Sequence, residues 1–139
     1  MRILSVDFGL KRIGIAIGDT AINSASPLLP IIRKTKDDVW VQIKDLVEEY
    51  TINKIIVGYP VNMDGTPSQT TKMVEKFFNH LKQTVDVDIE LIDERLTSVE
   101  ADEILKSYQS DYKKRKKFID SISALVILRS YMENSKQYD

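Results

Sequence analysis

Ile3-Leu4-Ser5-Val6-Asp7-Phe8-Gly9-Leu10-Lys11-Arg12-Ile13-Gly14-Ile15-Ala16-Ile17-Gly18 opens the chain as two apolar runs joined at a glycine-containing turn, with a carboxylate at the end of the first. Successive side chains of a strand point to opposite faces, so Ile13, Ile15 and Ile17 share one face, and Gly14, Ala16 and Gly18 the other. The isoleucine face is fitted to a core. The small-residue face is nearly bare backbone, which lets a bulky group approach a negative charge closely. That pairing points to a metal or phosphate site at a strand hairpin.

Working outward, the pattern reads β-β-β-α-β-α-β-α-α. Residues 2–7, 12–18 and 27–33 read as strands, spaced too closely for crossovers and therefore as an antiparallel meander. Val39, Trp40, Ile43, Leu46, Val47 and Tyr50 recur at helical spacing. Ile55-Ile56-Val57-Gly58 is a short strand with both faces buried. Thr66-Pro67-Ser68-Gln69 reads as a capping box with Thr66 at the N-cap, opening a helix with Met73, Val74, Phe77, Phe78 and Leu81 on its buried stripe. Residues 88–92 form a further strand running into Asp93-Glu94-Arg95, and helices follow over about 98–108 and 118–132. Strands alternating with helices in the second half imply parallel pairing. The expected fold is therefore α/β, a five-stranded mixed sheet with helices on both faces and Asp7 ending near its centre. The whole chain, residues 1–139, is expected to form one domain.

Composition narrows the chemistry. With no cysteine, disulfides, thiolate metal sites and cysteine nucleophiles are excluded. Twenty basic against 21 acidic residues exclude coating of nucleic acid by bulk charge, so a polyanion would need a local patch. One candidate patch exists, Lys113, Lys114, Arg115, Lys116 and Lys117, with Lys106 upstream. No stretch approaches the ~18 apolar residues of a membrane span, and no secretory leader is read, so a cytoplasmic location without membrane contact is expected. His80, the only histidine, reads as a surface or boundary residue, and Trp40 and the Met/Phe stripe read as core.

Carboxylates fall where strands end or a helix begins: Asp7, the Asp93-Glu94 pair and Asp120. Hard divalent cations take such oxygen ligands, and two of them can stabilise an in-line phosphoryl displacement. Adjacent strand residues face opposite sides, so only one of Asp93 and Glu94 can join a site shared with Asp7 while the strand continues.

Four ordered motifs then resemble a known family. They are Asp7-x-Gly9-x-x-Arg12-x-Gly14-x-Ala16; Gly58-Tyr59-Pro60 with Asn62-Met63-Asp64-Gly65-Thr66; Asp93-Glu94-Arg95-Leu96-Thr97-Ser98; and Asp120 ahead of Ser123-Ala124 and Ile127-Leu128. The chain looks, over essentially its whole length, like the YqgF/RuvX family of pre-16S rRNA nucleases, also called Holliday-junction-resolvase-like. The resemblance implies a ribonuclease H-like fold and a Mg²⁺- or Mn²⁺-dependent phosphodiesterase. It carries the family's three acidic residues, catalytic and metal-binding, onto Asp7, Glu94 and Asp120. It also puts Arg12 and Arg95 at basic motif positions, read here as phosphate contacts. Ser123 stands where the family usually has alanine, and Tyr59 where leucine is common. The implied substrate is precursor rRNA, at the 5′ end of pre-16S, with branched DNA cleavage or non-catalytic nucleic-acid binding as alternatives. A monomer is expected, since no exposed heptad seam marks a dimer. The opening hairpin also resembles the phosphate hairpin of actin-like ATPases and sugar kinases, which need two such domains.

Overall fold

The alternation of the first two runs becomes the middle of a sheet in the computed structural model, which describes residues 1–34, 36–96, 103, 106, 107 and 118–136. Strands β1 (Arg2–Asp7), β2 (Arg12–Asp19) and β3 (Ser24–Ile32) form the antiparallel meander. Helix α1 (Lys36–Glu49) leads to β4 (Lys54–Tyr59), and α2 (Gln69–Thr84) to β5 (Asp88–Asp93). Helix α3 (Ile122–Lys136) follows a 3₁₀ turn over Ile119–Ser121. Of the helix expected over 98–108, Glu103, Lys106 and Ser107 are described and are helical; the rest, with the basic run 113–117, lies outside the described residues.

The strand order is β3-β2-β1-β4-β5, with β4 parallel to both β1 and β5. β1 is thus the central strand. Its period-2 alternation sorts the two cores. Leu4 and Val6, with Ile13, Ile15, Ile55 and Val57, face α1 and α2 through Val39, Ile43, Val74, Phe77 and Leu81. Ile3, Ala16 and Ile56 face α3 through Ala124, Leu125, Leu128 and Met132. Burying each such large side chain contributes about 1.5–3 kcal/mol.

The small face of β2 differs in its use from the expectation. A Cβ on Gly18 would lie 3.0 Å from Met132 Sδ, and one on Gly14 only 2.1 Å from the backbone oxygen of Asp120. The bare face receives the chain's own C-terminal helix and the turn before it, not a ligand. The register of β2 against β3 shifts between Ile13 and Ile15, and the outer strand β3 carries Pro27 and Pro30.

Two local expectations also change. The capping residue of α2 is Ser68, not Thr66: Ser68 Oγ accepts from Thr71 N at 3.2 Å, and Ser68 N donates to Thr71 Oγ1 at 2.9 Å. Pro67 is instead bridged to Val61, and Thr71 Oγ1 donates to the carbonyl of Pro60, so helical geometry starts two residues later. Trp40 is only half-buried, lying between Phe77 and an exposed His80 at the rim of its core rather than inside it.

Candidate active site

Because β1, β4 and β5 run parallel, their C-terminal ends share one edge of the sheet; Val6 is level with Val57, so Asp7 ends β1 beside Gly58 and Ile92, one residue before Tyr59 and Asp93. From β1 the meander continues to one side and β4 joins on the other, so Asp7 marks the point where the strand order reverses. Open α/β sheets bind ligands at such a point.

Side-chain parity then decides which acid joins Asp7. Ile3, Ser5 and Asp7 alternate onto the α3 face, and Ser5 Oγ donates to Ala124 O at 2.7 Å. In β5, Ile92 packs on that face and Leu91 on the other, so Asp93 points away from Asp7. The strand ends at Asp93, and Glu94 opens a 3₁₀ turn over Glu94–Leu96 on the α3 side. The Glu94 and Asp7 carboxyl groups are close enough to share a hydrogen bond when one of them holds a proton.

That contact spans the intervening strand β4. Two strand spacings separate β1 from β5, about 9.5 Å. The bridge needs the longer glutamate and an empty position beneath it, which Gly58 supplies. A Cβ on Gly58 would lie 2.5 Å from Glu94 Oε1 and 2.7 Å from Ile127 Cδ1.

Two carboxyl groups in contact cannot both ionise cheaply. Burial, then the charge of Asp7 and the hydrogen bond to it, push the Glu94 carboxyl up to about 7. Burial also raises Asp7, with the Glu94 hydrogen bond pulling partly the other way. The pair therefore retains a proton above the usual carboxylate range, and Asp7 and Glu94 would release it on holding a cation whose charge offsets their repulsion.

Asp120 is carried to the same face by the turn before α3. Its backbone lies on Gly14, and the neighbouring Ser121 is fully buried, its Oγ accepting from Ile15 N at 3.1 Å beside the register shift. The Asp120 side chain is exposed, with Arg12 Nε 3.7 Å from Oδ2. Asp7 and Glu94 thus touch, while Asp120 is paired to Arg12. Among the described residues no three acidic or histidine side chains are gathered tightly enough to hold a metal. Two suffice for a loosely held Mg²⁺, which usually keeps several waters and binds through one or two carboxylates plus substrate phosphate. The all-oxygen donors and the mutual repulsion of the two neighbouring carboxyl groups fit such an ion.

Arg95, expected at a phosphate, is engaged within the chain itself. Its Nε and Nη2 donate to the Asp93 carboxylate, Nη2 at 2.7 Å, and Nη1 donates to Met63 O at 3.1 Å. Hydrogen bonds from Arg95 lower the Asp93 carboxyl from its ordinary value. Together they tie the end of β5 to the 62–66 loop, in which Asp64 Oδ1 accepts from Thr66 N and Oγ1 and Gly65 adopts φ +87°. Tyr59 donates to Glu75 at 2.6 Å, and Ser123 is exposed. Gly58, Ser5 and Ser121 support the site without having been singled out for that task. A glycine ending an otherwise apolar buried strand was the available signal for the first.

Residues 1–134 match a family model described as "RuvX: Holliday junction resolvase". Relatives that bear the name "Putative pre-16S rRNA nuclease" include one from Lachnospira eligens, 38% identical over 99% of this chain and 100% of its own length. Another, from Thermoanaerobacter pseudethanolicus, is 39% identical over 98% of this chain and 99% of its own. Among solved structures, Thermus thermophilus RuvC bound to a Holliday junction substrate is similar at TM-score 0.62 and 11% identity, covering 99% of this chain and 96% of that one. Fowlpox virus resolvase with Holliday junction DNA is similar at TM-score 0.59 and 17% identity, covering 97% and 99%. These likenesses are of fold, and the fold is ribonuclease H-like.

Proposed function

Since the chain belongs to the RuvX family, we propose that it is a divalent-metal-dependent nuclease acting on the 5′ end of precursor 16S rRNA, in the cytoplasm and as a monomer. The observation that carries the chemistry is the Asp7–Glu94 carboxyl contact across Gly58 at the strand-order reversal. The printed names of the relatives, which cover nearly the full chain, support the rRNA substrate.

Asp7 and Glu94 are the residues that would hold Mg²⁺ or Mn²⁺. When bound, the ion supplies Lewis-acid stabilisation of charge on phosphoryl oxygens and makes water more acidic. Asp7, fixed at the end of the central strand, sets where the scissile phosphate lies. Glu94 is the proton-holding member, able to give up its proton on loading. Asp120 would close the third side once Arg12 turns to a phosphate oxygen, exchanging one charged partner for another. The run Lys113, Lys114, Arg115, Lys116 and Lys117 would supply backbone contacts, which position a polyanion without reading its sequence.

The test compares wild type, Asp7→Asn and Glu94→Gln on a labelled precursor-rRNA 5′ fragment and on a four-way DNA junction, with Mg²⁺ or Mn²⁺. RNA cleavage lost in both variants, together with weaker calorimetric Mn²⁺ binding, supports the assignment. Paired cuts in the junction alone would replace rRNA by branched DNA and demand a dimer. Binding of RNA with no metal-dependent cleavage would make the chain a binding module.

A further inference from the structure

Asp7 and Phe8 are consecutive, and they part at the end of β1: Asp7 faces α3, whereas Phe8 packs with the α1 and α2 core. There a cleft of about 490 Å³ opens, within the range of small-molecule sites, roughly 300–1,000 Å³. An aromatic ladder runs along it. Phe8 and Phe77 have ring centroids 5.1 Å apart, Phe77 and Trp40 5.2 Å, and Trp40 and His80 3.9 Å with planes 11° apart.

The titratable side chains lining the cleft are Arg33, Lys76 and His80, and none of its described lining residues is acidic. In a chain of net charge −1 this is a local excess of basic groups. Arg33 is anchored, with Nη1 donating to the carbonyls of Gly9 and Leu10 at 3.1 and 3.0 Å and its guanidinium 4.9 Å from the Phe8 ring centre. Basic groups at the rim of an apolar cleft, with no acidic group among its described lining, suit an anionic occupant better than an apolar peptide. Stacked rings beside basic groups are what an unpaired base and its phosphate require.

We propose that this cleft is a nucleotide subsite, taking an unpaired nucleobase along the Phe8–Phe77–Trp40–His80 ladder and the attached phosphate at Arg33 and Lys76. The inference deepens the nuclease reading and rests on it. A strand crossing the end of β1 presents its backbone to Asp7 while a neighbouring base enters on the Phe8 side. The enzyme would then select substrates with an unpaired nucleotide next to the cleaved bond.

Trp40 is the only tryptophan, so its emission reports the cleft directly. Full-length protein in EDTA, where no cleavage is expected, is titrated with AMP, a pentameric oligoadenylate and ribose 5-phosphate. Saturable change of Trp40 emission is expected with the first two and not with the sugar phosphate. Binding should weaken about tenfold in Lys76→Glu and in Arg33→Gln, each checked for an unchanged melt. Absence of a saturable response to either nucleotide overturns the proposal, as does a response unaltered in folded Lys76→Glu. A response from an apolar peptide but from no nucleotide overturns it too, making the cleft a protein-docking site. Because the readout needs neither metal nor cleavage, a nucleotide response without nuclease activity would sink the nuclease reading and leave the cleft standing.

Discussion

Replacing Asp7 by asparagine should abolish cleavage and yet make the metal-free protein harder to melt at alkaline pH. In the native state the Glu94 carboxyl is lifted from its ordinary 4.5 to about 7, so between those values the folded chain binds more protons than the unfolded one. By linkage, stability falls as pH rises through that window. The full lift corresponds to roughly 3 kcal/mol, and partial exposure of the pair reduces it to about 1–2 kcal/mol. Burial, the larger cause, persists in the variant; the Asp7 charge does not. About 1 kcal/mol should be regained at pH 8, or about 3–4 °C for a chain of this size. The amide can still donate to Glu94. At pH 5, where Glu94 is protonated in both proteins, the gain should vanish. Thermal melts by circular dichroism in EDTA at the two pH values read this directly. A variant that melts lower than wild type at pH 8, or gains equally at pH 5, refutes the shared-proton account.

Three further outcomes follow from the same geometry. Gly58→Ala should cost about 1–3 kcal/mol in urea unfolding, from overpacking against Ile127, and should lower cleavage at least about tenfold by displacing Glu94. Ser121→Ala leaves the Ile15 N–H unpaired, so a loss of about 1–3 kcal/mol is expected by chemical denaturation, and cleavage should fall as the turn carrying Asp120 loosens. Arg12→Gln should leave the melt within a degree or two, since its ion pair is exposed, while nucleic-acid binding weakens and its salt slope drops by about one in a filter-binding series.

Much of this arrangement was legible in the residues, and the parts that were not share a cause. The period-2 pattern of 3–18 places β1 beside β2 and sends Asp7 to the face opposite Leu4 and Val6. Asp93 and Glu94 do part, but through the end of β5 and the 3₁₀ turn that begins at Glu94, since the strand does not continue as the alternation rule requires. What local pattern could not show is the identity of the group filling a small-residue face. Gly14 is matched to the backbone of Asp120, more than a hundred residues away, and a bare strand looks the same whether a phosphate or the chain itself lies on it. The start of α2 was misplaced for a similar reason. Thr66 and Ser68 both suit a capping position, and the choice falls to the Val61–Pro67 bridge and the Pro60 carbonyl, neither visible in a four-residue window. Trp40 reads as core by spacing, but spacing gives the face of a helix and not how far the partner helix covers it.

The prolines of the outer strand bear on assembly. β3 is one border of the sheet, and Pro27 and Pro30 lack the N–H that an added strand would need. At the other border, β5 offers Asp88, and Glu90 ion-paired to Lys54 at 2.6 Å, so an antiparallel neighbour copy would bring acidic side chains together and disturb that pair. Continuous sheets running through two molecules are thereby disfavoured at both borders. If two copies ever act together on opposite strands of one nucleic acid, they must meet through helices or loops, and the spacing between their cuts will be set there.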